Sequence, residues 1–223
     1  TDRTEVTFQT TAVAGAHVWY SFVAVDVNGN WAATNPIWAD VDGFTDVAAG
    51  SWYFDAVMDI SDKGLMNGTG DGSAFSPNMT LTRGMAATVL YRMSGETTGV
   101  AAEAGTTFSD VSAGQWYAEA VDWAADNGIV TGYNGKFNPN ANITRQDMVT
   151  MLYRYAQYKQ DDVSQTNDLA AFTDKDSIAS YALDSMKWAV GEGILTGRTT
   201  ETLVPKANLN RAEFATMVSR YLA

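Results

Sequence analysis

The sequence predicts a mainly α protein, three helix–loop–helix repeats behind a short N-terminal β segment. Three observations predict it. One set of motifs returns about every 64 residues. Inside each copy, two stretches of helical period flank a loop of Gly, Asn and Pro. Before residue 44 the pattern changes to alternating β-branched and aromatic residues.

The β segment comes first. Residues 4–11 and 16–27 are rich in Val, Thr, Phe, Trp and Tyr, and Asn28-Gly29 between apolar runs is a hairpin signal. His17, the single histidine, reads as a strand residue with a structural role. Asp26, Asn28 and Asn30 superficially mimic a calcium loop, but the distant glutamate is missing and a plain turn is the better reading. Two or three strands alone are marginal in water; the segment resembles the last strands of a fibronectin- or immunoglobulin-like sandwich, which implies that residues 1–43 are the tail of a larger upstream domain plus a linker.

The repeats occupy 44–106, 107–170 and 171–223, with polar connections over 94–106 and 159–170. Each opens on Phe-x-Asp (Phe44 and Asp46, Phe108 and Asp110, Phe172 and Asp174). In copy two the spacing predicts a first helix from Tyr117 to Asn127, with Ala120, Val121, Ala124 and Ala125 on one face. Gly128 ends it. A second helix opens at Thr144 and lines up Met148, Val149, Leu152, Tyr153 and Ala156. Thr82, Thr144 and Asn210 are N-cap residues, and Asp147 and Glu213 three positions on predict capping boxes in copies two and three.

Composition narrows the chemistry. A net charge of −12 argues against a nucleic-acid surface. The lack of cysteine removes thiolate metal sites and cysteine nucleophiles. No apolar run reaches the length of a membrane span. The chain opens on Thr1 without a leader-like stretch, as a mature protein or a fragment would.

Six of the eight arginines hold two fixed places in the repeat: Arg83, Arg145 and Arg211 six residues after a proline, then Arg92, Arg154 and Arg220 nine residues further on. The lysines keep no such register. The first set stands at the first helical position, where backbone N–H groups lack partners and the helix dipole favours an anion. An alternative for them is a structural salt bridge to the acid opening a neighbouring repeat. The second set lies about 180° around the helix at 3.6 residues per turn and reads as structural. On this division Arg145 buries little and serves a ligand, while Arg154 serves stability.

Together the Phe-x-Asp opening, the aromatic start of helix one (Trp52, Trp116, Tyr181), the segments Gly64–Gly68, Gly128–Gly132 and Gly193–Gly197, and the Thr-Arg-Ala-Glu-like motif at 82–85, 144–147 and 210–213 resemble S-layer homology modules. These are the cell-wall-binding repeats of bacterial surface proteins. The resemblance covers 44–223 and implies a pseudo-threefold bundle at the cell surface. Its grooves would hold an anionic, pyruvylated secondary cell-wall polysaccharide, with no cofactor, metal, nucleic acid or membrane insertion. Self-association through the β segment, as the unit of a lattice or filament, is the alternative.

The ligand residues this implies are Arg83, Arg145 and Arg211, with other groups weighed beside them. Asp46, Asp110 and Asp174 would bond sugar hydroxyls or cap the following helix. Trp52, Trp116 and Tyr181 would face a sugar ring, although core is the favoured reading for the two tryptophans. Trp123 and Trp188 correspond to Asp59 in copy one; a position accepting both types suggests a groove wall rather than deep core. Gly68, Gly132 and Gly197 allow an unusual backbone angle or a close ligand. Copy two holds the most intact set. Glu119 and Asp184, matched by Asp55, could form a carboxylate pair, but solvated helix acids are the better reading and the chain reads as non-catalytic.

Overall fold

The computed structural model describes residues 43–96 and 107–223 in full, and the backbone of four short strands before them. The chain divides into two units, Thr1–Phe54 with Asn67–Ser76, and Asp55–Met66 with Pro77–Ala223.

In the first unit, β1 (His17–Tyr20) pairs antiparallel with β4 (Ile37–Asp40), and β2 (Val23–Val25) with β3 (Trp31–Ala33). The register Val25↔Trp31 agrees with a hairpin across Asn28-Gly29, and His17 lies in a strand as expected. The strand expected over 4–11 and the Asp26, Asn28 and Asn30 turn lie outside the described residues. The same unit carries the loop of repeat one, where the Phe44 and Phe75 rings meet at 5.2 Å.

The second unit is helical. Each repeat supplies a pair, α1 (Phe54–Asp62) and α2 (Arg83–Ser94), α3 (Ala118–Asp126) and α4 (Arg145–Lys159), α5 (Leu183–Gly191) and α6 (Arg211–Tyr221). Gly128 follows α3 at φ +69°, the left-handed stop expected of it. The side chains of Thr82, Thr144 and Asn210 each accept from the backbone N–H three residues on. Only copy three closes the reciprocal capping box, through Glu213. The box expected in copy two does not form, because Asp147 is a methylene shorter and accepts the Tyr181 hydroxyl at 2.6 Å. No described helix is long and apolar enough to cross a membrane.

The repeats close into a ring. The Leu81 N–H donates to the Leu209 carbonyl, the Leu209 N–H to Ile143, and the Ile143 N–H to Leu81. All three side chains are fully buried. Two residues further on a second cycle runs the opposite way round: Arg83 and Gly84 donate to Ala141 and Pro139, Arg145 and Gln146 to Ala207 and Pro205, Arg211 and Ala212 to Met79 and Pro77. The orphan N–H groups at each helix start are thus satisfied by the loop of the next repeat. This is the pseudo-threefold bundle the resemblance implies. Around it sit Val57, Leu90, Val121, Met148, Leu152, Phe214 and Val218, each fully buried, worth about 1.5–3 kcal/mol apiece for the larger side chains.

Candidate ligand groove

The loop of each repeat is shaped by its opening aspartate. Both Asp110 oxygens accept backbone N–H groups, from Phe137 and Asn138, each at 2.8 Å. Asp174 does the same for Leu203 and Val204, and Asp46 for Phe75 and Ser76. The second residue of each pair (Ser76, Asn138, Val204) has a positive φ of 50–57°, a conformation that side chains resist and the carboxylate holds. For Asp110, burial raises the pKa, and the N–H groups of Phe137 and Asn138 outweigh it and leave it below the usual range. These aspartates neither cap a helix nor stand clear for a ligand: they clamp the loop. Gly68, Gly132 and Gly197 complete it. A Cβ at Gly132 would come within 2.6 Å of the Lys136 carbonyl oxygen, and one at Gly197 within 2.8 Å of the Thr202 oxygen.

The clamped loop turns a carbonyl toward the arginine of the preceding repeat. Arg83 crosses from repeat one to donate Nε–H to Phe137 O at 2.8 Å, and its guanidinium carbon stands 4.7 Å from the Phe137 ring centroid. Burial presses the Arg83 pKa down, with Asp147, Tyr181 and Asp110 opposing. Its Nη1 and Nη2 have no acceptor among the described residues. Arg83 lines a cleft of about 550 Å³ together with Gly132, Tyr133, Asp147, Arg154 and Tyr181, among others. Tyr133, an unforeseen member, is 77% exposed at the rim. Tyr181 also lines it, its hydroxyl pushed up to about 12 by burial and by the Asp147 carboxylate.

Arg154 modifies the division drawn from helical geometry. It donates to the Ile129 carbonyl at 3.3 Å, as Arg92 does to Leu65 and Arg220 to Ile194, so the second arginines brace the glycine segment of their own repeat. Yet Arg154 also lines the cleft, as Arg83 does. Two arginines on one helix do diverge; the groove takes one from each of two repeats.

The equivalent place between repeats two and three is filled. Arg145 is 3% exposed, contrary to the expectation that it buries little. It donates Nε–H to Leu203 O at 2.9 Å, Nη2–H to Thr196 O at 2.8 Å and Nη1–H to Glu213 at 3.1 Å. Glu213 also takes a two-pronged contact from Arg198, at 2.8 and 2.9 Å. Burial raises the Glu213 pKa, but the Arg198 and Asn210 bonds and both guanidinium charges lower it further, below its usual value. Arg198 keeps no place in the arginine register, which hid it from sequence reasoning. Arg211 is buried too.

The aromatic residues reverse their expected burial. Trp52 and Trp116, read as core, are exposed, each set edge-on against the following tyrosine; Tyr181 is exposed as well. Trp123 and Trp188, read as groove wall, are 4% and 2% exposed. The reason lies in their partners. Trp123 packs on Tyr91, Trp188 on Tyr153, and Asp59 accepts from Ser219, which holds the position of those tyrosines in copy three. Partner and position changed together, so the Asp in copy one says nothing about exposure in the others. Glu119 accepts the Tyr91 hydroxyl at 2.7 Å and Asp184 is exposed; neither lines the cleft.

Comparison with known proteins agrees with this architecture. The model of the S-layer homology domain matches three times, over residues 43–87, 107–149 and 171–215. An endoglucanase of Bacillus sp. (strain KSM-635) is 31% identical over 195 residues, 86% of this chain and 20% of that protein. An S-layer protein of Bacillus thuringiensis subsp. finitimus is 28% identical over 186 residues, 83% of this chain and 22% of the relative. A cellulosome-anchoring protein of Acetivibrio thermocellus is 28% identical over 153 residues, covering 68% and 34%. The chain thus spans about a third or less of these relatives. With three modules matched over more than half of its length, the chain belongs to the S-layer homology domain family.

Proposed function

We propose that this chain anchors a surface protein non-covalently to the bacterial cell wall by holding an anionic secondary cell-wall polysaccharide, with a pyruvate ketal carboxylate at Arg83. It is an extracellular, cell-surface module, and the enzymatic names among its relatives describe far larger proteins. The observation that carries the ligand reading is Arg83. Its outer nitrogens have no acceptor among the described residues, and the side chain lines a cleft that also includes the exposed Tyr133. A guanidinium fork suits a carboxylate, and a charged hydrogen bond contributes about 1.5–3 kcal/mol. The ring face suits a sugar. The overall charge of −12 opposes an anionic glycan, but screening over about 8–10 Å at ordinary salt limits that repulsion to the groove's surroundings.

Co-sedimentation with purified cell walls tests this. The chain should pellet with walls carrying the ketal and stay largely in solution after mild-acid removal of pyruvate. Equal pelleting with both preparations would refute the carboxylate at Arg83.

A further inference from the structure

We infer that the groove between repeats two and three is closed by the chain's own Glu213, fastened there by Arg198, so that this groove excludes a carboxylate ligand that the groove at Arg83 accepts. The inference rests on the reading of the Arg83 cleft as the ligand site and adds which groove is closed, and by what.

The two grooves share their frame. Each has a clamped loop, a carbonyl accepting the arginine Nε–H, and an acid three residues after the N-cap. Two of their differences bear on the arginine. The residue after the second glycine is Tyr133 in copy two and Arg198 in copy three; the acid is Asp147 in one and Glu213 in the other. Asp147 is short, turned to the Tyr181 hydroxyl, and makes no ion pair with Arg83 among the described residues. Glu213 is one methylene longer and reaches Arg145 Nη1. Arg198 then grips both Glu213 oxygens and adds a bond to Asn208 O at 2.8 Å. Every nitrogen of Arg145 is thereby engaged. The Glu213 carboxylate sits on the guanidinium that a ligand carboxylate would need, and an incoming anion would have to displace it. Losing one charged hydrogen bond already costs more than about tenfold in affinity.

The experiment follows backbone amides by NMR while a pyruvate-ketal disaccharide is added. In the natural chain, Gly132 and Asn138 should shift, with Gly197 and Val204 responding at least about tenfold more weakly. In Glu213→Gln, Gly197 and Val204 should shift as well. Glutamine also serves in the capping box, so α6 keeps its start. Arg198→Tyr provides a second variant that leaves Arg145 paired with Glu213; the same two amides should respond there, less strongly. Response of Gly197 and Val204 in the natural chain equal to that of Gly132 overturns the lock. So does silence of those amides in both variants, shown to be folded by circular dichroism. A response only at Gly197 and Val204 in the variants, with Gly132 silent throughout, would uphold the lock while refuting Arg83 as the ligand site.

Discussion

Arg83 and Arg145 stand at the same place in the motif and do different work. Arg145 uses all three nitrogens inside the protein, whereas among the described residues Arg83 uses only Nε. Removing one member of a buried pair costs about 3–5 kcal/mol. Glu213 would keep Arg198 after Arg145→Ala, so about 3 kcal/mol is expected, read from urea unfolding. Arg83→Ala should cost about 1 kcal/mol, an ordinary point-mutant effect, and lose retention on walls. Similar destabilisation by both would contradict the contrast. Sequence alone showed that these arginines have fixed places, because register survives between copies. It could not show which loop each visits, since that depends on how the ring closes. Arg198 was illegible for the opposite reason: it has no counterpart to give it a register.

Among the elements, the helices were the most legible, since their apolar period and caps lie within a few residues of each other. The loops were less so, because their shape is imposed by Asp46, Asp110 and Asp174 from almost thirty residues away. Gly128 and Gly132 separate the two kinds of constraint. Both have positive φ, but a Cβ at Gly128 meets nothing within 4 Å, while one at Gly132 meets the Phe108 ring and the Lys136 carbonyl. Gly128→Ala should therefore cost only left-handed strain, about 1 kcal/mol. Gly132→Ala adds a clash with backbone and should cost at least about 1 kcal/mol more by the same unfolding measurement. Equal losses would mean that the loop yields and the close packing there is unimportant.

In the helical unit as a whole, the ring of Leu81, Ile143 and Leu209 joins all three repeats through one buried set of backbone bonds. Opening any one of them exposes polar groups in the core, so the three amides should exchange with deuterium only through the same global opening. Equal protection free energies for the three, measured by native-state exchange, are expected; a faster amide in one repeat would show that repeat opening by itself. The pairs Trp123 with Tyr91, Trp188 with Tyr153, and Asp59 with Ser219 have a different consequence. They make the repeats non-interchangeable parts. Recombination that copied the coding sequence of one helix over another would set an indole against Ser219, or Asp59 against a tyrosine, and lose both the packing and the hydrogen bond. Internal duplications usually invite such exchange. Here matched partners give selection a reason to preserve the differences between copies, and with them the fixed order of the repeats along the chain.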